Sequence, residues 1–212
     1  MMIMPSDASY QLTKQIKQGR QEMNPEFTPL VGWIKSEYQV DVLNVIYEPL
    51  ENSSARLIII FELLKDEIIF RDRLGDYHKQ QRIVGEKFSS QVNYDTKSIF
   101  VVLTSFEPIA KDEANSQIPE REVKKLAEEL DDRNLWEISP RFSGVTFFLY
   151  TDEQVKEYKN NGTRKVWTQR YFDLLDQYNE FGYFKRDSFS VDLDSKENFD
   201  TNYESNWYYY YK

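Results

Sequence analysis

Carboxylates dominate the reactive side chains of this chain. It carries 36 Asp and Glu against 27 Lys and Arg, one histidine and no cysteine. Paired carboxylates can hydrolyse glycosides or hold divalent cations. Two adjacent pairs stand out, Asp66-Glu67 and Asp152-Glu153, followed by a looser set: Asp187, Asp192, Asp194, Glu197, Asp200 and Glu204. Each pair sits where a helix would begin, and acids in a first helical turn are ordinary complements of the helix dipole. The looser set is spaced somewhat like a calcium loop but lacks its central glycine and terminal pattern. No metal ligand is assigned from either.

His78, in Asp76-Tyr77-His78-Lys79, cannot form a histidine-rich metal site alone. As a general base it would need a positioned partner that its neighbours do not supply. It is expected to be a solvated helix residue. The absence of cysteine removes disulfides, thiol nucleophiles and Cys-ligated metal. Ser53-Ser54 and Ser89-Ser90 have no adjacent base, and no glycine-rich phosphate loop or nucleophile elbow is present. No catalytic residue and no cofactor is expected.

The second unusual feature is aromatic. The chain ends in Trp207-Tyr208-Tyr209-Tyr210-Tyr211, directly after the acidic run. As a strand, Trp207, Tyr209 and Tyr211 would share one face. Such a tail either wedges between layers of its own domain or offers a contact face. The charge is lopsided: 12 basic and 14 acidic residues in 1–106 give −2, and 15 and 22 in 107–212 give −7. Acids steer a cationic partner and aromatics anchor it. The expected function is therefore that of a non-enzymatic acidic interaction protein for a basic protein partner. By surface analogy only, it resembles an inhibitor or immunity protein. The candidate contacts are Asp187, Asp192, Asp194, Glu197, Asp200, Glu204, Trp207 and Tyr209. The alternatives are a carboxylate-dependent hydrolase, with or without a divalent metal, and a small-ligand sensor with a pocket between two modules.

The acidic surface disfavours nucleic acid and anionic lipid. No apolar run approaches the roughly 20 residues of a membrane helix, and the apolar start Met1–Met4 lacks a basic flank. A reducing cytoplasm is the expected compartment. Asn52-Ser53-Ser54 and Asn161-Gly162-Thr163 match a glycosylation pattern and read as turns.

The elements that must hold these residues follow from periodicity. Residues 40–64 read as a β-hairpin, two apolar β-branched runs around a polar turn. The second run, Leu57 to Leu64, is apolar on both faces, which places it centrally in its sheet. Ser98 to Phe106 is another strand. Helices are expected at 10–22 (Leu12 and Ile16 on one face), 28–38, 76–91 and 120–132. A second hairpin, 135–138 with 145–150, should turn at Ser139-Pro140-Arg141. A capping box at Thr151 to Gln154 opens a helix that Asn161-Gly162 ends. Residues 166–178 form an amphipathic helix and 188–193 a strand.

The fold class is therefore α+β, with mixed or antiparallel sheets covered by helices. The order of elements suggests two similar α-β-β-α-β modules from an internal duplication. Their spans are 28–106 and 119–212, with a helical extension at 1–27 and a linker at 107–118. Matching residues include Phe61 with Phe147, Asp66-Glu67 with Asp152-Glu153, Gly75 with Gly162, and Ser98 with Ser188, offsets of 86 to 90. The expected core contains Val42, Val45, Ile59, Phe61, Val101, Leu126, Leu130, Phe147, Leu149, Trp167 and Leu174.

Overall fold

The computed structural model describes residues 4–92, 94 and 98–212, so most of the apolar start lies outside the described residues. The fold is α+β, with two mixed three-stranded sheets. The chain divides into two compact units, 1–109 and 110–212.

In the first unit, α1 (Ala8–Lys17) and α2 (Thr28–Tyr38) precede the hairpin of β1 (Val42–Pro49) and β2 (Ser54–Phe61). Then come α3 (Leu64–Ile68), α4 (His78–Gln91) and β3 (Ser98–Ser105). β2 is central, antiparallel to β1 and parallel to β3. Its two-sided apolar character is used. Leu57, Ile59 and Phe61 pack with Leu30 and Ile34 of α2 and with Val84 and Phe88 of α4. Ile58 and Ile60, which alternate with them, are also buried. On β1, buried Asn44 donates to Thr13 of α1 at 3.0 Å. The buried residues of α1 are Tyr10 and Thr13, whereas Leu12 and Ile16 are half-buried, so the helix faces inward along a different stripe from the one expected.

The helix α5 (Phe106–Ser116) covers most of the segment expected as a linker, and the two units divide within it. Its buried positions include Ala110 and Ala114, one turn apart. Pro108 falls in the first turn, where its missing N–H costs nothing.

The second unit continues with α6 (Glu120–Leu130), β4 (Leu135–Arg141), β5 (Gly144–Leu149), α7 (Asp152–Asn160), α8 (Thr163–Leu175), β6 (Asp192–Ser195), α9 (Lys196–Asn202) and α10 (Trp207–Tyr210). β5 is central, antiparallel to β4 and parallel to β6. The hairpin turns later than expected, at Phe142-Ser143, since Arg141 pairs with Gly144. Pro140 lies inside β4, where an edge strand tolerates the missing donor. Strand β6 also begins later: buried Val191 precedes it without joining the ladder. The capping box forms as expected, Thr151 accepting from the Gln154 N–H. Of the expected core, Val42, Leu130 and Leu174 are half-buried and the other eight are buried.

The two sheets are alike in detail. Both have the order edge–centre–edge with the same strand senses. Both hairpins skip one residue near the same end, Leu43 between Val42 and Asn44, and Trp136 between Leu135 and Glu137. Phe61 pairs with Val42 and Ser105, and Leu149 with Leu135 and Ser195, so Phe61 stands where Leu149 does. The sequence match of Phe61 with Phe147 is thus two residues out of register. A shift of two preserves every side-chain face and so leaves the apolar pattern unchanged.

Candidate functional site

The C-terminal aromatics gather with Asp194 on the face of the second sheet opposite α8, whereas Asp192 pairs with Arg164 of α8 and the loop that carries Asp187 is held to α8 by its neighbours Arg186 and Phe189. Residues alternate across β5, so Phe147 stacks on Trp167 of α8 while Phe148 faces the other way. There it meets Phe199 of α9 and Trp207 and Tyr210 of α10. The indoles of Trp136 and Trp207 lie parallel, 6.0 Å apart. A tight reversal carries the chain into α10: Glu204 and Ser205 both have φ of 55°. The Asn206 side chain then caps the turn by accepting the Tyr208 N–H at 2.9 Å. The tail is therefore helical rather than extended. Trp207, Tyr210 and Tyr211 pack inward, and the outward pair is Tyr208 and Tyr209, 67% and 48% exposed.

The acids divide by what they already bind. Asp194 is half-buried and accepts from Asn198 Nδ2 at 2.9 Å, from the Tyr210 hydroxyl at 2.5 Å and from the Ser195 N–H at 2.7 Å. It fastens the tail. The Glu197 carboxylate accepts the Asp152 N–H at 3.0 Å and so caps α7. Asp200 pairs with Lys196 and accepts from Ser205 Oγ at 2.6 Å. The lysine, and secondarily the serine, holds its carboxyl below the usual range. Asp192 is exposed, with the Arg164 guanidinium 3.8 Å away. Asp187 and Glu204 are exposed, and neither has a hydrogen-bond or ion-pair partner among the described residues. Trp207 is docked, while Tyr209 is displayed. Tyr208 was missed by the sequence reading, which used a strand period for the tail. The helical spacing of 207, 210 and 211 after an asparagine cap was the available signal.

Ring faces of this cluster are already taken by cations. Lys196 lies 5.3 Å from the Trp136 centroid, Arg141 5.8 Å from Tyr211, and Lys212 5.6 Å from Tyr208.

The Asp-Glu pairs are otherwise employed. Glu67 is buried and accepts from Ser105 Oγ at 2.5 Å, from Arg71 at 3.1 Å and from the Tyr77 hydroxyl. Burial, then the bond to Glu67, pushes the Tyr77 hydroxyl up. In the second unit, Ser195, the residue in the place of Ser105, donates to Asp152. The parallel extends to the helix caps. Glu107 accepts the Leu64 N–H at 3.1 Å, as Glu197 does for Asp152. The sequence shows it too. The pattern S-x-x-V-x-L-x-S-x-E occurs at 98–107 and again at 188–197, although only its first serine figured in the sequence match. The carboxyl ends of parallel strands are a common place for ligands. Here each unit's own glutamate fills that place.

His78 is exposed, with Nε2 3.1 Å from Asp76 Oδ2. Among the described residues, no group of three or more His, Asp or Glu is placed to hold a metal ion, and no helix is long and apolar enough to cross a membrane. Comparisons with protein-family models, curated proteins and solved structures find no match.

Proposed function

We propose that this is a non-enzymatic binding protein whose second unit receives a basic protein partner on its C-terminal face. The observation that carries the reading is the display of Tyr208 and Tyr209. An ordered, capped helical turn, riveted by three aromatic neighbours and by Asp194, holds two adjacent tyrosines toward solvent. Tyrosine is among the side chains that most often anchor protein interfaces. Lys212 over Tyr208 supports this reading: a partner's lysine or arginine could displace it and take the same ring face. Glu204 adds unpartnered negative charge beside α10, and Asp200 is an exposed carboxylate whose surface ion pair exchanges readily; Asp187 and Asp192, held near α8, contribute only at longer range. The anchors are thus Tyr208 and Tyr209. Asp194, Glu197 and Trp207 hold the face in shape.

The test compares wild type with Tyr208→Ser/Tyr209→Ser as bait in a native-lysate pull-down, followed by stopped-flow binding of the recovered protein. The expected partner is basic and is lost with the double variant. Its association rate should fall steeply as salt shortens the Debye length from ~10 Å at 0.1 M to ~3 Å at 1 M. An acidic partner, a salt-independent association rate, or equal capture by the double variant would overturn the reading.

A further inference from the structure

We propose a small-molecule site in the first unit, independent of the C-terminal face: a cleft beside β1 that takes a compact aromatic amine in its ammonium form. Buried Asn44 carries the inference. Its Nδ2 donates to Thr13 Oγ1 at 3.0 Å, and the Thr13 hydroxyl in turn donates to the Ser9 carbonyl at 2.7 Å. A hydroxyl has one proton, and Thr13 spends it on Ser9, so toward Asn44 it can only accept. That fixes which end of the amide faces Thr13 and leaves Oδ1 as the free end. Oδ1 accepts no hydrogen bond among the described residues, although Asn44 is only 1% exposed. A carbonyl taken out of water without a donor costs stability, so this one calls for a partner.

A cavity borders this residue. The Asn44 side chain meets α1 at Thr13, between Leu12 and Ile16, and Asn44, Leu12 and Ile16 all line a cleft of about 320 Å³. That volume lies at the small end of the range for ligand sites, ~300–1,000 Å³. Another part of the lining is aromatic: Phe27, Tyr47 and Tyr94 belong to it, and the Tyr47 and Tyr94 rings stack with centroids 4.2 Å apart. The Tyr94 hydroxyl is committed to Glu26 at 2.6 Å, so Tyr94 offers the cleft its ring.

Charge selects the ligand. Glu22 is the one charged side chain of the lining, exposed and without an ion-pair or hydrogen-bond partner among the described residues. The nearest cations in sequence, Lys17 and Arg20, do not line the cleft, and Lys17 is held by Glu62 at 2.6 Å. An anionic ligand would thus meet a like charge and no cation. Asn44 Oδ1 and the Glu22 carboxylate are both acceptors, so the ligand that satisfies them is a donor with positive charge. An ammonium group supplies both. An aromatic body on it matches the apolar walls of Leu12 and Ile16 and the stacked tyrosine rings.

The probe is phenethylamine, titrated into the nitrogen-15-labelled full chain and followed by NMR, with phenylethanol as the neutral and phenylpropionate as the anionic control. Saturable shifts are expected at the Asn44 side-chain amide and at the backbone N–H groups of residues 44–47. Phenethylamine should bind roughly fivefold tighter than phenylethanol, the effect of a charge-assisted hydrogen bond discounted for the exposure of Glu22. Phenylpropionate should not bind. Glu22→Gln, an exposed change that leaves the fold in place, should abolish the preference for the amine and leave binding of the alcohol unchanged. Equal binding of amine and alcohol to wild type would overturn the proposal, as would a preference that survives Glu22→Gln. Shifts centred on Tyr208 and Tyr209 with none at Asn44 would assign the amine to the C-terminal face and also overturn it, and so would no shift at all with tens of millimolar amine.

Discussion

Glu197 accepts the backbone N–H of Asp152 at 3.0 Å, and its own N–H donates to the Tyr150 carbonyl at 3.2 Å. Glu107 makes the same two bonds, with Leu64 and Glu62. Each glutamate ties the start of one helix to the end of the central strand. It supplies an acceptor to an otherwise orphan donor and a negative charge to a helix N-terminus.

Removing that link should cost stability of the order of a lost N-cap. Glu197→Ala and Glu107→Ala are each expected to destabilise by about 1 kcal/mol. The glutamine variants keep an acceptor and lose only the charge, so they should cost less. Urea denaturation followed by circular dichroism measures both, and an alanine variant as stable as wild type would deny the cap its role.

The docked and displayed aromatics should separate in the same measurement. Trp207 touches Trp136, Phe148 and Phe199. Trp207→Ala leaves a gap in that cluster and is expected to cost about 2 kcal/mol, less than a fully buried tryptophan because the ring is half-exposed. Tyr208→Ala and Tyr209→Ala should stay within about 0.5 kcal/mol of wild type. If the tyrosine variants prove the costlier, the tail does not pack in this way.

What could be read from the sequence was what local rules decide. The capping box at Thr151 needs only its own four residues, and the alternation of Leu57, Ile59 and Phe61 against Ile58 and Ile60 announces a strand buried on both faces. Helix α5 was hidden because its buried stripe includes the small Ala110 and Ala114, which a search for large apolar residues passes over. Ser139-Pro140-Arg141 looks like a turn, yet an edge strand accommodates it. The acidic run misled in a different way. Composition counts charges, but Asp194 and Glu197 spend theirs on hydrogen bonds within the unit, and only the folded structure separates such carboxylates from the exposed ones.

The last prediction concerns pH and the hold of the tail. The Tyr210 hydroxyl donates to Asp194 at 2.5 Å beneath the aromatic cluster. Burial first, and then this bond to a carboxylate, raise its ionisation well above the ordinary tyrosine value of 10.0. A group whose folded pKa is raised contributes stability that is complete below the unfolded value and is lost as pH climbs toward the folded one. The tail should therefore be fully docked at neutral pH and begin to loosen only above about pH 10. Trp207, stacked on Trp136, reports it: its fluorescence should shift to the red as α10 leaves the sheet. Tyr210→Phe keeps the ring but not the proton. It is expected to lower stability at neutral pH by about 1–2 kcal/mol, a charge-assisted hydrogen bond discounted for partial exposure, and to flatten the loss above pH 10. Tyr211, also raised by burial and bonded to Ser139 at 2.8 Å, would leave a smaller residual slope. An alkaline shift of the same size in wild type and Tyr210→Phe would mean that this hydroxyl does not govern the docking of α10.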